Sequence, residues 1–257
     1  KTEAGFNGGN GGQIETSGHT LQVGEVAISA HANKGNDGLW LLDPYNITIS
    51  SGADANTANA ANTFTASAVG GVVNTTTLQN ALANNSVTVS TTGAGADTGD
   101  ITVNNTVTWA GNTTLTLSAY RSININAKLN VNGATGGVSL KINQGGTLGD
   151  YSYGLSNSGF SGGINFSTPA TQVFKTLDGT NVTNEKTYTL VGALSTMAST
   201  TATNTLTNYA LATDIDASAF KSGVSTYYTN VLTGIFGGTF TGLGHTISRL
   251  TLGGSSV

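Results

Sequence analysis

GDITVNNTVTWAGNTTLTLSAYRSININAKLNVNGATGGVSLKINQGG, residues 99–146, alternates apolar and small polar side chains in short runs broken by Asn and Gly. Strict alternation over a few residues specifies a half-buried strand. Strands are expected at 101–103, 107–109, 115–117, 123–125, 129–131 and 138–142. Turns are expected at Asn104-Asn105, Gly111-Asn112, Asn132-Gly133 and Gly145-Gly146. A similar strand returns after roughly 20 residues, a spacing found in solenoid repeats. The fold expected is all-β: a right-handed parallel β-helix (solenoid) with short loop and helix insertions.

The composition agrees. Only 9% of the 257 residues are charged, and Pro44 and Pro169 are the sole prolines, while Gly, Thr, Ser and Asn dominate. Low charge with few aromatics can mean disorder, but a disordered chain does not sustain β-branched alternation. Thr suits an exposed sheet face. Asn tolerates turn and left-handed backbone and can hydrogen-bond its copy in the next coil. In a stacked fold each coil covers its neighbour's apolar face, so no large globular core is needed. The net charge of −4, with no Lys/Arg run, lacks the electrostatic footprint of a nucleic-acid binder. No apolar run approaches the ~20 residues of a membrane span. Cysteine is absent, which removes disulfides, thiolate catalysis and Cys-type zinc sites together. No signal peptide is evident at Lys1, and the chain starts in mid-pattern, so an excised or processed fragment of a longer rod is expected.

Outward from 99–146 the pattern varies. Residues 1–49 read as β-helix coils, with strands near 13–15, 21–23, 26–29 and 39–42. Residues 50–99 read as an insertion: a weakly patterned loop (50–74), a short helix (75–84) with Thr75 or Thr76 as N-cap and Leu78, Ala81 and Leu82 on one face, then a return to strand. Residues 100–208 read as coils with irregular loops, in which Phe160, Phe166, Phe174, Tyr188 and Leu190 mark apolar positions. Residues 209–257 read as further coils.

Three stretches carry a family resemblance. GGQIETSG (11–18) followed by GLWLLDPYNITI (38–49), and the ordered GDITV, TLTL and INA elements of 99–127, resemble secreted bacterial exoproteins of the two-partner secretion type. These include the filamentous-haemagglutinin-like and high-molecular-weight adhesins. YALATDIDASAF (209–220) with FGGTFTGLGHTISRLTL (236–252) resembles the glycine-rich GLUG motif of bacterial adhesins and surface proteases. Thr241 stands where that motif commonly carries Asp, and KSGVSTYYTNVL (221–232) replaces its usual Trp- and Pro-containing link. The resemblance implies a secreted, cell-surface adhesin segment. Its partners would be an outer-membrane secretion protein for the full-length chain and a host-cell or matrix receptor, a glycan among the candidates. A cysteine-free chain suits export in an unfolded state.

Individual residues add little concentrated chemistry. His19, His31 and His245 are isolated in sequence and read as turn or cap residues rather than metal or haem ligands. Asp214 and Asp216 alternate around Ile215, so in a strand both carboxylates point to solvent. Asp97 and Asp100 read as turn residues. Trp40, Trp109, Tyr45, Tyr120, Tyr151 and Tyr153 read mainly as packing. Tyr227 and Tyr228, in the departing link, are the candidate receptor contacts. Asn46, Asn74, Asn84, Asn104, Asn112, Asn165 and Asn181 head Asn-x-Ser/Thr triplets, which this composition also produces by chance. Some adhesins of the resembled family are glycosylated at such asparagines, so these are candidate glycosylation sites. No catalytic residue, cofactor or metal is expected. One alternative is a haem or haem-carrier acquisition protein with 50–74 as the inserting loop. Another is a polysaccharide-active β-helix enzyme, which requires several carboxylates, or Lys/Arg with carboxylates, along one groove. A third is a toxin-delivery rod.

Overall fold

The computed structural model describes residues 4–10, 14–16, 29, 31–32, 34–35, 40–42, 45–91, 97–146, 148–183, 185–198, 204–219 and 235–250. Among these the chain is mostly β-strand with little helix, and parallel pairing dominates. Ile14–Thr16 pairs in parallel with Trp40–Leu42, an N-terminal pair apart from three larger sheets.

The stretch 101–178 visits those three sheets in a fixed order. Ile101–Val103, Ile123–Ile125 and Tyr151–Ser152 lie side by side in the first. Val107–Trp109, Lys128–Val131 and Gly163–Phe166 lie side by side in the second. Thr114–Ser118, Gly137–Ile142 and Val173–Asp178 lie side by side in the third. All six strands expected in 99–146 are present.

Register places like on like. Ile47, Ile101 and Ile123 are neighbours, as are Val107, Leu129 and Ile164, and Leu115, Val138 and Phe174. All are buried. Alternate side chains face opposite ways, so a slip of one residue would expose a whole column. Each aliphatic side chain so buried contributes roughly 1.5–3 kcal/mol relative to exposure. The outer face carries polar ladders. The Asn126 amide donates to Asn104 Oδ1 at 3.1 Å, 22 residues earlier. The Asn130 amide donates to Thr108 Oγ1 at 2.9 Å, and the Asn165 amide to Asn130 Oδ1 at 2.6 Å.

The turns between sheets stack just as closely. A Cβ on Gly133 would lie 2.0 Å from the Gly111 carbonyl oxygen, and one on Gly111 would lie 2.4 Å from that of Leu82. Only glycine admits that backbone approach.

Residues 50–74, expected as a loop, hold strands instead. Thr57–Ala60 and Thr63–Ala66 form an antiparallel hairpin at one edge of the third sheet. Its two-residue turn, Ala61-Asn62, has positive φ at both positions, the geometry that matches strand twist. Gly71–Asn74 then closes the edge of the first sheet. Alanine and threonine repeats hid these strands from hydrophobic periodicity, because the hairpin is largely exposed.

The expected helix spans Thr75–Leu82, with Leu78 and Leu82 fully buried. Its N-cap is Asn74, not Thr75 or Thr76. Asn74 is extended, and its Oδ1 accepts from Thr76 N at 2.8 Å and Thr77 N at 3.4 Å. The helix packs beside Val107–Trp109, where Gln79 Oε1 accepts from Thr108 N at 2.8 Å.

After Val173–Asp178 the chain reverses. Lys186–Val191 pairs antiparallel with it, and Asn208–Leu211 and Phe240–Thr241 then add in parallel. The C-terminal segment also covers the second sheet. Ile164 N donates to Leu243 O at 3.0 Å, and Phe166 N donates to Ala212 O at 2.9 Å. A second, smaller apolar cluster forms here around Val191, Leu194, Met197, Tyr209 and Leu211.

Candidate functional site

Tyr227 and Tyr228 lie outside the described residues, as do His19 and the whole 221–232 link. Of the candidate glycosylation sites, Asn84, Asn104, Asn112 and Asn181 are exposed. Asn74 and Asn165 are committed. The Asn74 amide donates to Ser51 O (3.1 Å) and Gly52 O (2.7 Å), and that of Asn165 donates to Asn130. Asn46 is half-buried, and its Oδ1 accepts from Asp100 N at 2.7 Å.

His245 is buried, and its Nε2 lies 2.9 Å from Ile164 O, so that nitrogen donates. Asp214 and Asp216 are exposed around buried Ile215, as alternation requires. The Asp214 carboxylate accepts from Thr246 N at 2.8 Å, and the Asp216 carboxylate from Ser218 N and from Arg249. These backbone hydrogen bonds hold both carboxyls below the usual range. Asp100 does more than turn the chain. Its carboxylate takes the Arg121 guanidinium at 2.9 and 2.6 Å and Ser122 N at 3.0 Å. Burial opposes its charge, but these hydrogen bonds and Arg121 outweigh burial, and its pKa is lowered. Among the described residues no group of His, Cys, Asp and Glu could hold a metal ion.

A concave feature lies where the columns change character. In the first sheet the neighbour of Ile123 is Tyr151, and Tyr153 follows on the same face. In the third sheet the column Val89, Leu117, Leu140 continues as Thr176 and then Lys186. The neighbour of Ile142 is Asp178. Hydrocarbon thus gives way, in register, to phenol, hydroxyl, ammonium and carboxylate. The result is a cleft of about 450 Å³ lined by these residues with Asp150, Phe174 and Tyr188.

Its apolar wall is aromatic. Phe174 and Tyr188 lie with ring centroids 5.0 Å apart, and Phe166 backs Phe174 at 6.2 Å. Its polar groups are held by neighbours. Tyr188 OH and Thr176 Oγ1 are 3.2 Å apart, and Lys186 Nζ donates to Thr239 Oγ1 at 3.0 Å. Asp178 Oδ1 accepts from Asn143 Nδ2 (3.0 Å), Thr180 N (3.0 Å) and Thr180 Oγ1 (2.8 Å). These bonds, the Thr180 N–H foremost, hold its carboxyl below the usual range, so it remains an ionised acceptor. Burial pushes the Tyr151 and Tyr153 phenols up, so both are neutral donors at physiological pH. Thr241, which stands where the resembled motif carries Asp, lines the cleft with Tyr153.

Position-by-position reading missed this site, because Tyr151 and Tyr153 read as packing and Lys186 as nothing. Aligning successive coils would have found it, since Tyr151, Thr176 and Lys186 fall in columns otherwise filled by Ile and Leu. No protein-family model, curated protein or solved structure matches the chain. Among the described residues no helix is long and apolar enough to cross a membrane.

Proposed function

We propose that the chain is a segment of a secreted bacterial surface adhesin, built as a right-handed parallel β-helix. The observation that carries this reading is the cyclic visit to three parallel sheets with like residues in register. In a stack of this kind each coil shares load with its neighbours, as a rod presenting a binding surface away from the cell requires. The resemblance to two-partner secretion exoproteins supplies the export route and the surface location. The receptor would be a host-cell or matrix component.

The rival reading as a haem-acquisition protein would be favoured by an inserting loop at 50–74, and that stretch holds strands at sheet edges, which lends it no support. The polysaccharide-active enzyme has one observation in its favour, Lys186 with Asp150 and Asp178 around one cleft. The Asp178 carboxylate accepts three hydrogen bonds from Asn143 and Thr180, which fix it in place as a binding group does.

The test is attachment of beads coated with the folded chain to epithelial cells and to matrix proteins. Attachment that is lost on prior unfolding of the chain is expected. A folded chain that attaches to neither surface overturns the adhesive reading.

A further inference from the structure

We infer that the cleft between Tyr151, Tyr153, Lys186 and Asp178 binds a neutral pyranose, as the terminal residue of a glycan. The inference draws on the adhesin reading only for what bears the glycan. The cleft's chemistry stands without it.

Four features point to this ligand class. The volume, about 450 Å³, lies within the ~300–1,000 Å³ of small-ligand pockets and admits about one or two pyranose rings. The rings of Tyr151, Tyr153 and Tyr188 line the cleft, with fully buried Phe174 packed on Tyr188, and the C–H face of a pyranose packs against such rings while its hydroxyls stay wet. Donors and acceptors are mixed around that wall: three phenols and an ammonium against the Asp150 and Asp178 carboxylates. A pyranose carries hydroxyls that both donate and accept, and vicinal hydroxyls can donate to a carboxylate fixed in place as Asp178 is. The charge balance favours a neutral sugar over an acidic one, because two carboxylates face one ammonium.

The polar groups are also placed against the cheapest folding solution. The same columns are filled by Ile and Leu one coil earlier, and hydrocarbon there would close the interior. Burying phenols and an ammonium in their place costs stability unless the groups are satisfied. The Lys186 ammonium has three N–H donors and gives one to Thr239, which leaves donors for bound hydroxyls.

The test is a glycan array probed with the 257-residue chain. The array carries terminal neutral hexoses, terminal N-acetylhexosamines and terminal sialic acid. Titration calorimetry with the free sugar of any glycan bound then gives its affinity. Lys186→Met and Asp178→Asn are the variants, with far-UV circular dichroism and urea midpoints confirming that each is folded. Expected is binding to a neutral terminal sugar, weakened about tenfold or more in each variant, the loss that follows from one charge-assisted hydrogen bond. Binding to no neutral sugar, binding only to sialic acid, or binding undiminished in both folded variants would each overturn the inference. Sugar binding without bead attachment would sink the adhesin reading and sustain the cleft. Attachment without sugar binding would do the reverse.

Discussion

Gly133 shows how little room a stacked backbone leaves. With 2.0 Å between its would-be Cβ and the Gly111 carbonyl oxygen, backbone must move to admit a methyl group. Gly133→Ala should destabilise the protein by about 1–3 kcal/mol, the usual cost of overpacking, read as a lower urea midpoint. Gly8→Ala, where nothing lies within 4 Å of the added carbon, is the comparison for strain from positive φ alone. The Asp100–Arg121 pair gives a second expectation at this scale. Because the folded pKa of Asp100 is lowered, its stabilisation is complete above the unfolded value of about 3.9 and is lost as pH falls through the folded value. The Arg121 side chain is 41% exposed, so solvent screening limits the pair to about 1 kcal/mol or less. Arg121→Met should cost that much at pH 7 and less at about pH 2, which urea unfolding at both values would show. An equal cost at both pH values would mean that Arg121 acts by packing. Asp100 was legible as a turn residue but not as an anchor, because its partner lies 21 residues away.

At the scale of elements, the apolar alternations were nearly sufficient. Each strand expected in 99–146 formed where its Val, Ile and Leu spacing placed it, because one face had to be buried. The helix was legible for the same reason, through Leu78 and Leu82. Its cap was not. Asn74 looks like the end of a strand, and is one, but its side chain also closes the first turn of the helix. Asn74→Ala should cost about 0.5–2 kcal/mol in urea unfolding. Asn74→Ser, which keeps a capping oxygen, should recover part of that. The same geometry sorts the Asn-x-Ser/Thr triplets. A sugar on the Asn74 or Asn165 amide would displace an existing hydrogen bond, whereas Asn84, Asn104, Asn112 and Asn181 are exposed. If the natural protein is glycosylated, peptide mass mapping should find sugar on the second group and not on the first. Strands 57–60 and 63–66 were illegible because their residues, largely Ala, Thr and Asn, carry no apolar stripe. Pairing to the sheet edge defines them, with Phe64 as their one buried anchor.

Across the whole molecule, stability is divided between two apolar clusters. The larger runs through the three sheets, and the smaller sits around Tyr209 and Leu194. Leu129 is fully buried in the larger, and Leu129→Ala should cost roughly 2–5 kcal/mol. Hydrogen exchange gives the spatial reading. Amides of 115–142, paired on both sides, should exchange most slowly, and those of the exposed hairpin 155–160 fastest. Uniform protection along the chain would contradict that division. The cleft belongs to this scale too. It became visible only when columns were followed from coil to coil, and sequence order scatters its residues from Asp150 to Thr241.

The reversal of Lys186–Val191 against Val173–Asp178 has a consequence for the gene as well as for the fold. Upstream of it, an accidental tandem duplication of one coil of 22 residues would add another parallel strand to each sheet. The copy would find its own apolar columns above and below, and the stack would lengthen by one strand spacing, about 4.8 Å. A copy that spanned the reversal itself would carry the antiparallel step with it and meet no matching face, although parallel pairing resumes from Lys186–Val191 onward. Heritable length variation is therefore open on the N-terminal side of residue 173 and closed at the antiparallel step between 173 and 191. The cleft sits at that boundary, where an insertion upstream would carry it outward intact.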